Sequence, residues 1–207
     1  QGLNIALISD AGTPLISDPG YGLVNQCRAN NVDVIPLPGP CAAITALSGA
    51  GLATDRFRFD GFLPAKQQAK IQALESIERE TATCVFYESP RRIADTMQAV
   101  VDVLGGERKV VVAKELSKTF ETFYSGTADA LEWLHADSNH QRGEFVLMVA
   151  GHKTDANEIP EEALKLLKLL MGELPPKKAA GIVAQQYGLK KNTLYQMGLA
   201  FSETKAD

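Results

Sequence analysis

Apolar positions along this chain follow two patterns, and the change from one to the other divides it. Over most of its length they fall in short continuous runs: Leu3-Asn4-Ile5-Ala6-Leu7-Ile8, Val32 to Leu37, Thr83 to Tyr87, Val110 to Ala113 and Phe145 to Ala150. Runs of this kind, bounded by Gly, Pro or charged residues, predict buried strands, and Glu121 to Gly126 reads as a further short one. Between them Leu23 to Ala29, Cys41 to Ala50, Lys70 to Arg79, Ile93 to Leu104 and Asp129 to Leu134 read as helices. Strands alternating with helices predict an α/β protein with two α/β domains, residues 1–52 and 53–152, the second built on a mixed sheet. The crossover is Gly51 to Lys66. After a polar linker, Asp155 to Glu158, the period becomes helical: Ile159 to Met171, Lys177 to Gln186 and Lys191 to Phe201 form a small C-terminal helical module, residues 158–203. Its spacing Ala184-x-x-x-Gly188, followed by Leu194, fits a helix-turn-helix; a compact three-helix cap would read the same.

The first apolar run stops at an acidic residue and a punctuated loop, Ser9-Asp10-Ala11-Gly12-Thr13-Pro14-Leu15-Ile16-Ser17-Asp18-Pro19-Gly20. Open α/β sheets bind ligands at the carboxyl ends of their strands. Asp10 can accept hydrogen bonds there, and Gly12 lets the backbone approach a ligand closely. Ser17 or Asp18 is expected to cap the next helix, with Pro19 in its first turn. A second loop, Leu37-Pro38-Gly39-Pro40, opens a helix whose first N–H groups face the strand ends, and Ala42 and Ala43 leave room for a flat ligand. An ordinary strand-to-helix turn and tight helix packing account for the same residues.

Composition narrows the class. With 207 residues and 45% hydrophobic content the chain can bury substantial cores. No run of apolar residues is long enough to span a membrane, and none reads as a signal peptide. Cys27, Cys41 and Cys84 lack metal-ligand spacing and read as reduced thiols; His135, His140 and His152 are scattered. No metal is expected, and the compartment expected is the cytoplasm. The net charge of −4 argues against a nucleic-acid binder, but the charges are segregated. Residues 56–70 carry Arg56, Arg58, Lys66 and Lys70 against Asp60, and residues 177–191 carry Lys177, Lys178, Lys190 and Lys191 with no acid. A basic face on an acidic protein and a set of ordinary solvated faces both fit.

Taken in order, Ser9 to Gly20, Leu37 to Leu47, Phe62-Leu63-Pro64-Ala65-Lys66, Phe86-Tyr87-Glu88-Ser89-Pro90-Arg91-Arg92, Lys114-Glu115-Leu116-Ser117-Lys118 and Gly143-Glu144-Phe145-Val146-Leu147 span nearly the whole chain. This series closely resembles the tetrapyrrole methylase family of S-adenosylmethionine-dependent methyltransferases, in particular the branch that 2′-O-methylates a cytidine of 16S ribosomal RNA. The resemblance implies a cleft between two α/β domains that binds S-adenosyl-L-methionine. It would be lined by Asp10, Ala11, Gly12, Thr13, Pro14 and Ser17, by Ala42 and Ala43, and by Tyr87, Ala113, Val149 and Ala150. It also implies a homodimer acting on 16S ribosomal RNA or the small ribosomal subunit. Family members carry a strand and a Gly-rich loop before the position where this chain starts, so residues 1–52 read as a truncated first domain with an unpaired sheet edge. A sugar hydroxyl benefits from a general base, and Glu88, Lys114 and Glu115 at strand ends are the candidates. A helix cap or an ion pair with Arg91 or Arg92 is the competing role for Glu88. Arg56, Arg58, Lys66, Arg91, Arg92, Lys118, Lys177, Lys178, Lys190 and Lys191 are the candidates for holding RNA. A precorrin-type methylase of the same fold, and a non-catalytic nucleic-acid-binding protein, are the alternatives.

Overall fold

The computed structural model describes residues 2–153 and 159–203. Contacts divide the chain into two compact units, Gln1–His152 and Lys153–Asp207. The expected linker from Asp155 to Glu158 lies outside the described residues.

The first unit is built on five strands: β1 (Phe57–Phe62), β2 (Thr83–Glu88), β3 (Val110–Lys114), β4 (Thr122–Gly126) and β5 (Phe145–Val149), in the order β1-β2-β5-β3-β4. β1 runs parallel to β2, while β5 is antiparallel to both β2 and β3, and β4 is antiparallel to β3. Both faces of the central strands are covered, and this is why their sequences are unbroken apolar runs instead of alternating ones. On one face Cys84, Phe86, Val110, Val112, Phe145, Leu147 and Val149 pack against residues of α3 (Gln67–Glu75), α4 (Ile93–Leu104) and α5 (Asp129–Ala136). On the other, Val85, Val111, Ala113, Val146 and Met148 pack against Ala43, Ala46, Leu47 and Ala50 in and just after α2 (Ala42–Gly49). The helix expected in the first domain therefore lies on the second domain's sheet, and residues 1–152 form one compact unit.

Three expectations change. The runs 3–8 and 32–37 form no strand: Leu3, Ile5, Ile8, Ile35 and Leu37 are more than 70% exposed, and no ladder reaches them. Strand propensity fixes a strand only when a partner supplies the hydrogen bonds. Neither Ser17 nor Asp18 caps α1 (Tyr21–Ala29); its N-cap is Gly20, with φ 132° and no side-chain bond. The crossover contains a strand, β1, whose register slips between Phe59 and Gly61. Gly61 takes φ 67°, and the bulge hides the Phe alternation from a strict period-two reading.

The second unit is a three-helix module of α6 (Glu161–Met171), α7 (Pro176–Tyr187) and α8 (Lys191–Glu203). Ala163, Leu167, Ala179, Ala180, Val183 and Leu194 form its core. Gly188 ends α7 in the left-handed region at φ 66°, and the Leu189 N–H returns to the Ala184 carbonyl. The anticipated turn thus follows from a C-terminal glycine cap. Gly198 lets α8 come close to α6, because a Cβ there would lie 2.9 Å from Met171 Sδ.

Leu147 lies in the middle of the dry sheet with no exposure. Leu147→Ala is expected to lower stability by about 3 kcal/mol, read as a lower urea midpoint.

Candidate functional site

The strand directions gather the carboxyl ends of β1, β2 and β3 at one edge of the sheet, beside the start of β5. Tyr87 is the hub of this edge. Its ring meets Phe59 and Phe62 edge-on, with centroids 4.8 and 5.7 Å away. Its hydroxyl accepts the Ala43 N–H at 3.2 Å and lies 4.0 Å from Cys41 Sγ. Cys41, the N-cap of α2, makes no side-chain cap bond, so the Tyr87 oxygen satisfies a first-turn donor in its place. Burial raises the Tyr87 pKa above the ordinary phenol value, so the hydroxyl keeps its proton near neutrality.

Two loops meet beside this hub. Thr13 Oγ1 donates to the Pro40 carbonyl at 2.8 Å. A Cβ on Gly12, at φ 80°, would stand 3.7 Å from the same carbonyl, and one on Gly39 would stand 3.3 Å from Thr13 Oγ1. On its other side the first loop reaches β1, where a Cβ on Gly61 would stand 3.4 Å from Ser17 Oγ. Leu15 and Ser17 hold left-handed φ of 74° and 56°, so the loop is strained and the contacts on either side of it hold that form. Asp10, Ala11, Gly12 and Ala42 are exposed, whereas Thr13 and Pro14 are half-buried. Loop 10–17, loop 38–43 and Tyr87 therefore share one surface of open peptide groups, one carboxylate and small side chains. Gly39, Cys41 and Gly61 complete it, and no local motif singles out Cys41 or Gly61 because only the fold brings them to the edge.

The remaining cofactor candidates separate. Ala113, with no exposure, sits on the Tyr87 face of the sheet and pairs with Val146. Val149 and Ala150 do not join it. Antiparallel β5 carries Val149 to the opposite end, paired with Cys84 and Val110, and turns its side chain to the other face. Cys84, on that same face, has its thiol pKa pushed up to about 11 by burial, which leaves it an inert core group.

Of the acid–base candidates, Glu88 and Lys114 face away from the Tyr87 surface. Glu88 is 3% exposed and points to the α4 face. Its carboxylate accepts from the Ser89 N–H at 2.8 Å, Thr96 Oγ1 at 2.8 Å and Arg92 Nη2 at 3.2 Å. Arg92 donates in turn to the Leu63 carbonyl at 2.6 Å, tying the segment after β1 to the start of α4. Lys114 is buried on the same face, its ammonium on the Asn139 carbonyl. Glu115 stays on the strand-end loop, with φ 51°, accepting from the Glu144 N–H at 2.9 Å and Lys118 Nζ at 3.0 Å. The Glu144 N–H first, and then Lys118, hold its pKa below the ordinary 4.5.

The cations of the first unit are partly committed. Arg58 pairs with Asp60 at 2.9 Å and Glu80 at 3.4 Å, and Lys118 bridges Glu115 and Glu144. Lys70 is 3% exposed, which removes it from the basic crossover. Arg56, Lys66 and Arg91 are exposed, Arg56 with a long bond to Thr81. In the second unit Lys177, Lys178, Lys190 and Lys191 are all exposed. Lys177, Lys178 and Lys191 line one shallow groove with Pro175, Gly181, Ile182 and Gln185. Among the described residues no cluster of His, Cys, Asp and Glu could hold a metal ion, and no helix is long and apolar enough to cross a membrane.

Residues 1–132 match the family described as Tetrapyrrole (Corrin/Porphyrin) Methylases. The chain belongs to the tetrapyrrole methylase family. Residues 157–202 match the RsmI C-terminal HTH domain, which overlies α6 to α8. Proteins named ribosomal RNA small subunit methyltransferase I are similar along nearly the whole of this methylase. That of Vibrio cholerae is 57% identical over 202 residues, covering 96% of this chain and 70% of the relative. That of Haemophilus influenzae is 57% identical, covering 98% and 73%. That of Escherichia coli O157:H7 is 53% identical, covering 96% and 70%. Among solved structures the methyltransferase CobJ is 16% identical with a TM-score of 0.49, over 70% of this chain and 64% of that one.

Two outcomes test the geometry of this methylase edge. Tyr87→Phe deprives the Ala43 N–H of its acceptor and is expected to lower stability by about 1 kcal/mol in urea denaturation; unchanged stability would remove the capping role. Glu115 has a lowered folded pKa, so its contribution is present above the ordinary 4.5 and is lost as pH falls through the folded value. In acid thermal melts Glu115→Gln is expected to show a shallower decline of the midpoint than the parent below that pH.

Proposed function

We propose that this protein transfers a methyl group from S-adenosyl-L-methionine to ribosomal RNA of the small subunit, at the 2′-hydroxyl of a cytidine. The observation that carries the reading is the joining of the strained loop 10–17 to loop 38–43 beside Tyr87, at the carboxyl edge of the sheet. The names of the similar proteins support the RNA substrate, and the series of family motifs supports the ribose hydroxyl. The same reading places the protein in the cytoplasm as a homodimer.

The residues present fit a nucleoside-bearing cofactor. Asp10 offers an acceptor for hydroxyl or amino groups, the exposed backbone around Gly12 allows close approach, and Ala42 presents a small apolar surface. When bound, S-adenosyl-L-methionine supplies an activated methyl group on a sulfonium. The task left to the protein is alignment and exclusion of water. Tyr87 keeps α2 seated so that Ala42 and Ala43 stay at the edge, and Thr13 locks the two loops together. Glu88 and Lys114 hold the other face of the sheet. Glu115, with its lowered pKa, suits fixing the loop after β3 better than accepting a proton. Arg56, Lys66, Arg91, Lys177, Lys178, Lys190 and Lys191 are the exposed cations that this reading assigns to phosphates.

Calorimetric titration with S-adenosyl-L-methionine is expected to give a saturable heat that Asp10→Ala, at an exposed loop position, weakens while leaving the fold intact. Labelled methyl should then appear in small ribosomal subunits. It should protect the adjacent phosphodiester from alkali, because 2′-O-methylation removes the hydroxyl that attacks it. Label in the RNA without that protection would move the acceptor to a base. Folded protein that gives no heat would end the methyltransferase reading.

A further inference from the structure

Gly181 lies in the interior of α7, where glycine costs about 1 kcal/mol relative to alanine. Its backbone does not require glycine, since its φ is not positive. Nor does a close crossing of helices: a Cβ built there would meet only Lys191, at 3.4 Å from Cε and 3.5 Å from Nζ. Gly198 in α8 is different, because there a Cβ would run into Met171.

Gly181 belongs to the lining of the groove with Lys177, Lys178 and Lys191. Each of those lysines also breaks a local preference. Lys177 and Lys178 fall in the first turn of α7 and Lys191 begins α8, positions where the helix dipole favours acids, and neither first turn contains one. No acid lines the groove. Like charges drawn together at the positive ends of two helices, around an unforced glycine, form an arrangement that an anion would stabilise.

We propose that this groove seats a backbone phosphate of the RNA, with Gly181 as its floor. The missing side chain lets Lys191 lie across α7 toward Lys177 and Lys178, and lets the phosphate descend to the helix backbone. The inference rests on the RNA reading of the substrate and names the point of contact. A membrane surface fits the groove less well, because a bilayer would need a broad apolar face and the lining offers one exposed aliphatic side chain, Ile182.

Gly181→Glu tests this without unfolding the module, since glutamate is the better helix former and the substituted side chain adds a negative charge among the lysines. Titrating the full chain into a short fluorescein-labelled RNA stem-loop, Gly181→Glu is expected to weaken binding by about tenfold or more and to flatten the salt dependence. Its thermal midpoint should be unchanged or raised. Gly181→Ala, which adds no charge, should stay within about threefold of the parent. Equal RNA binding by parent and Gly181→Glu, no RNA binding by the parent, or displacement of the RNA by anionic phospholipid vesicles would overturn the proposal. Cofactor heat measured on the same proteins separates the two readings. Its absence in both would count against the methyltransferase, while a loss of RNA affinity on Gly181→Glu would still support the groove.

Discussion

The first unit depends on keeping three strands dry on both faces. Every residue of β3 and β5 is buried, as are all those of β2 but Tyr87, so these central strands need helices over both faces. α3, α4 and α5 cover one face with large aliphatic and Met side chains. The other is covered by α2, a helix of eight residues, and its only large buried side chain is Leu47. Burying Leu47 and the methyls of Ala43, Ala46 and Ala50 contributes roughly 4 kcal/mol, against about 1 for the hydrogen bond from Ala43 to Tyr87. Packing therefore holds α2 down, and the hydrogen bond decides where its first turn sits. Since the candidate cleft borders that first turn, the weaker interaction is the one that shapes the site.

The direction of β5 is the second constraint. An antiparallel strand between two parallel ones brings its amino end, Phe145 and Val146, to the edge where β2 and β3 finish. Side chains alternate across every strand, so Tyr87 and Ala113 face α2 while Glu88 and Lys114, one residue later, face α4 and the turn at Ser138–Gln141. Two chemically attractive residues are thereby turned away from the cofactor candidates. Glu88 answers three donors and anchors Arg92, as a buried carboxylate must if it is to stay charged.

Much of this was legible in the sequence, and the reasons differ from element to element. The boundaries of α4 were readable because Pro90 precedes it and Gly105 follows it around a clean apolar stripe. The strands 83–87, 110–113 and 145–150 were readable because unbroken apolar runs need burial on both faces. β1 was missed because a bulge at Gly61 breaks its alternation, and Arg58 invited a reading as free basic surface. Arg58 instead neutralises Asp60 and Glu80. Val149 and Ala150 lie at the other end of the sheet from Tyr87 because β5 is antiparallel, and a single strand's sequence does not state its direction. The runs 3–8 and 32–37 show the opposite failure: their composition asks for a ladder, but pairing is a property of two segments and neither finds its partner among the described residues.

Departures from local preference gather where chemistry is expected and are sparse elsewhere. Of the five non-glycine residues with positive φ among the described residues, Leu15 and Ser17 lie in the loop beside the cofactor surface, and Glu115 and Ser117 in the loop after β3. Each pair is braced: the first by the Thr13–Pro40 bond, the second by Glu144, Lys118 and the Glu121 carboxylate on the Ser117 N–H. Each left-handed residue costs of order 1 kcal/mol, and each brace contributes about as much, so neither loop keeps its form without its partner segment. Shape at these edges is thus a cooperative property of segments distant in sequence. Removing the Thr13 hydroxyl, which is one of these braces, should therefore alter binding through the form of loop 10–17 even where the peptide groups that face the ligand are unchanged.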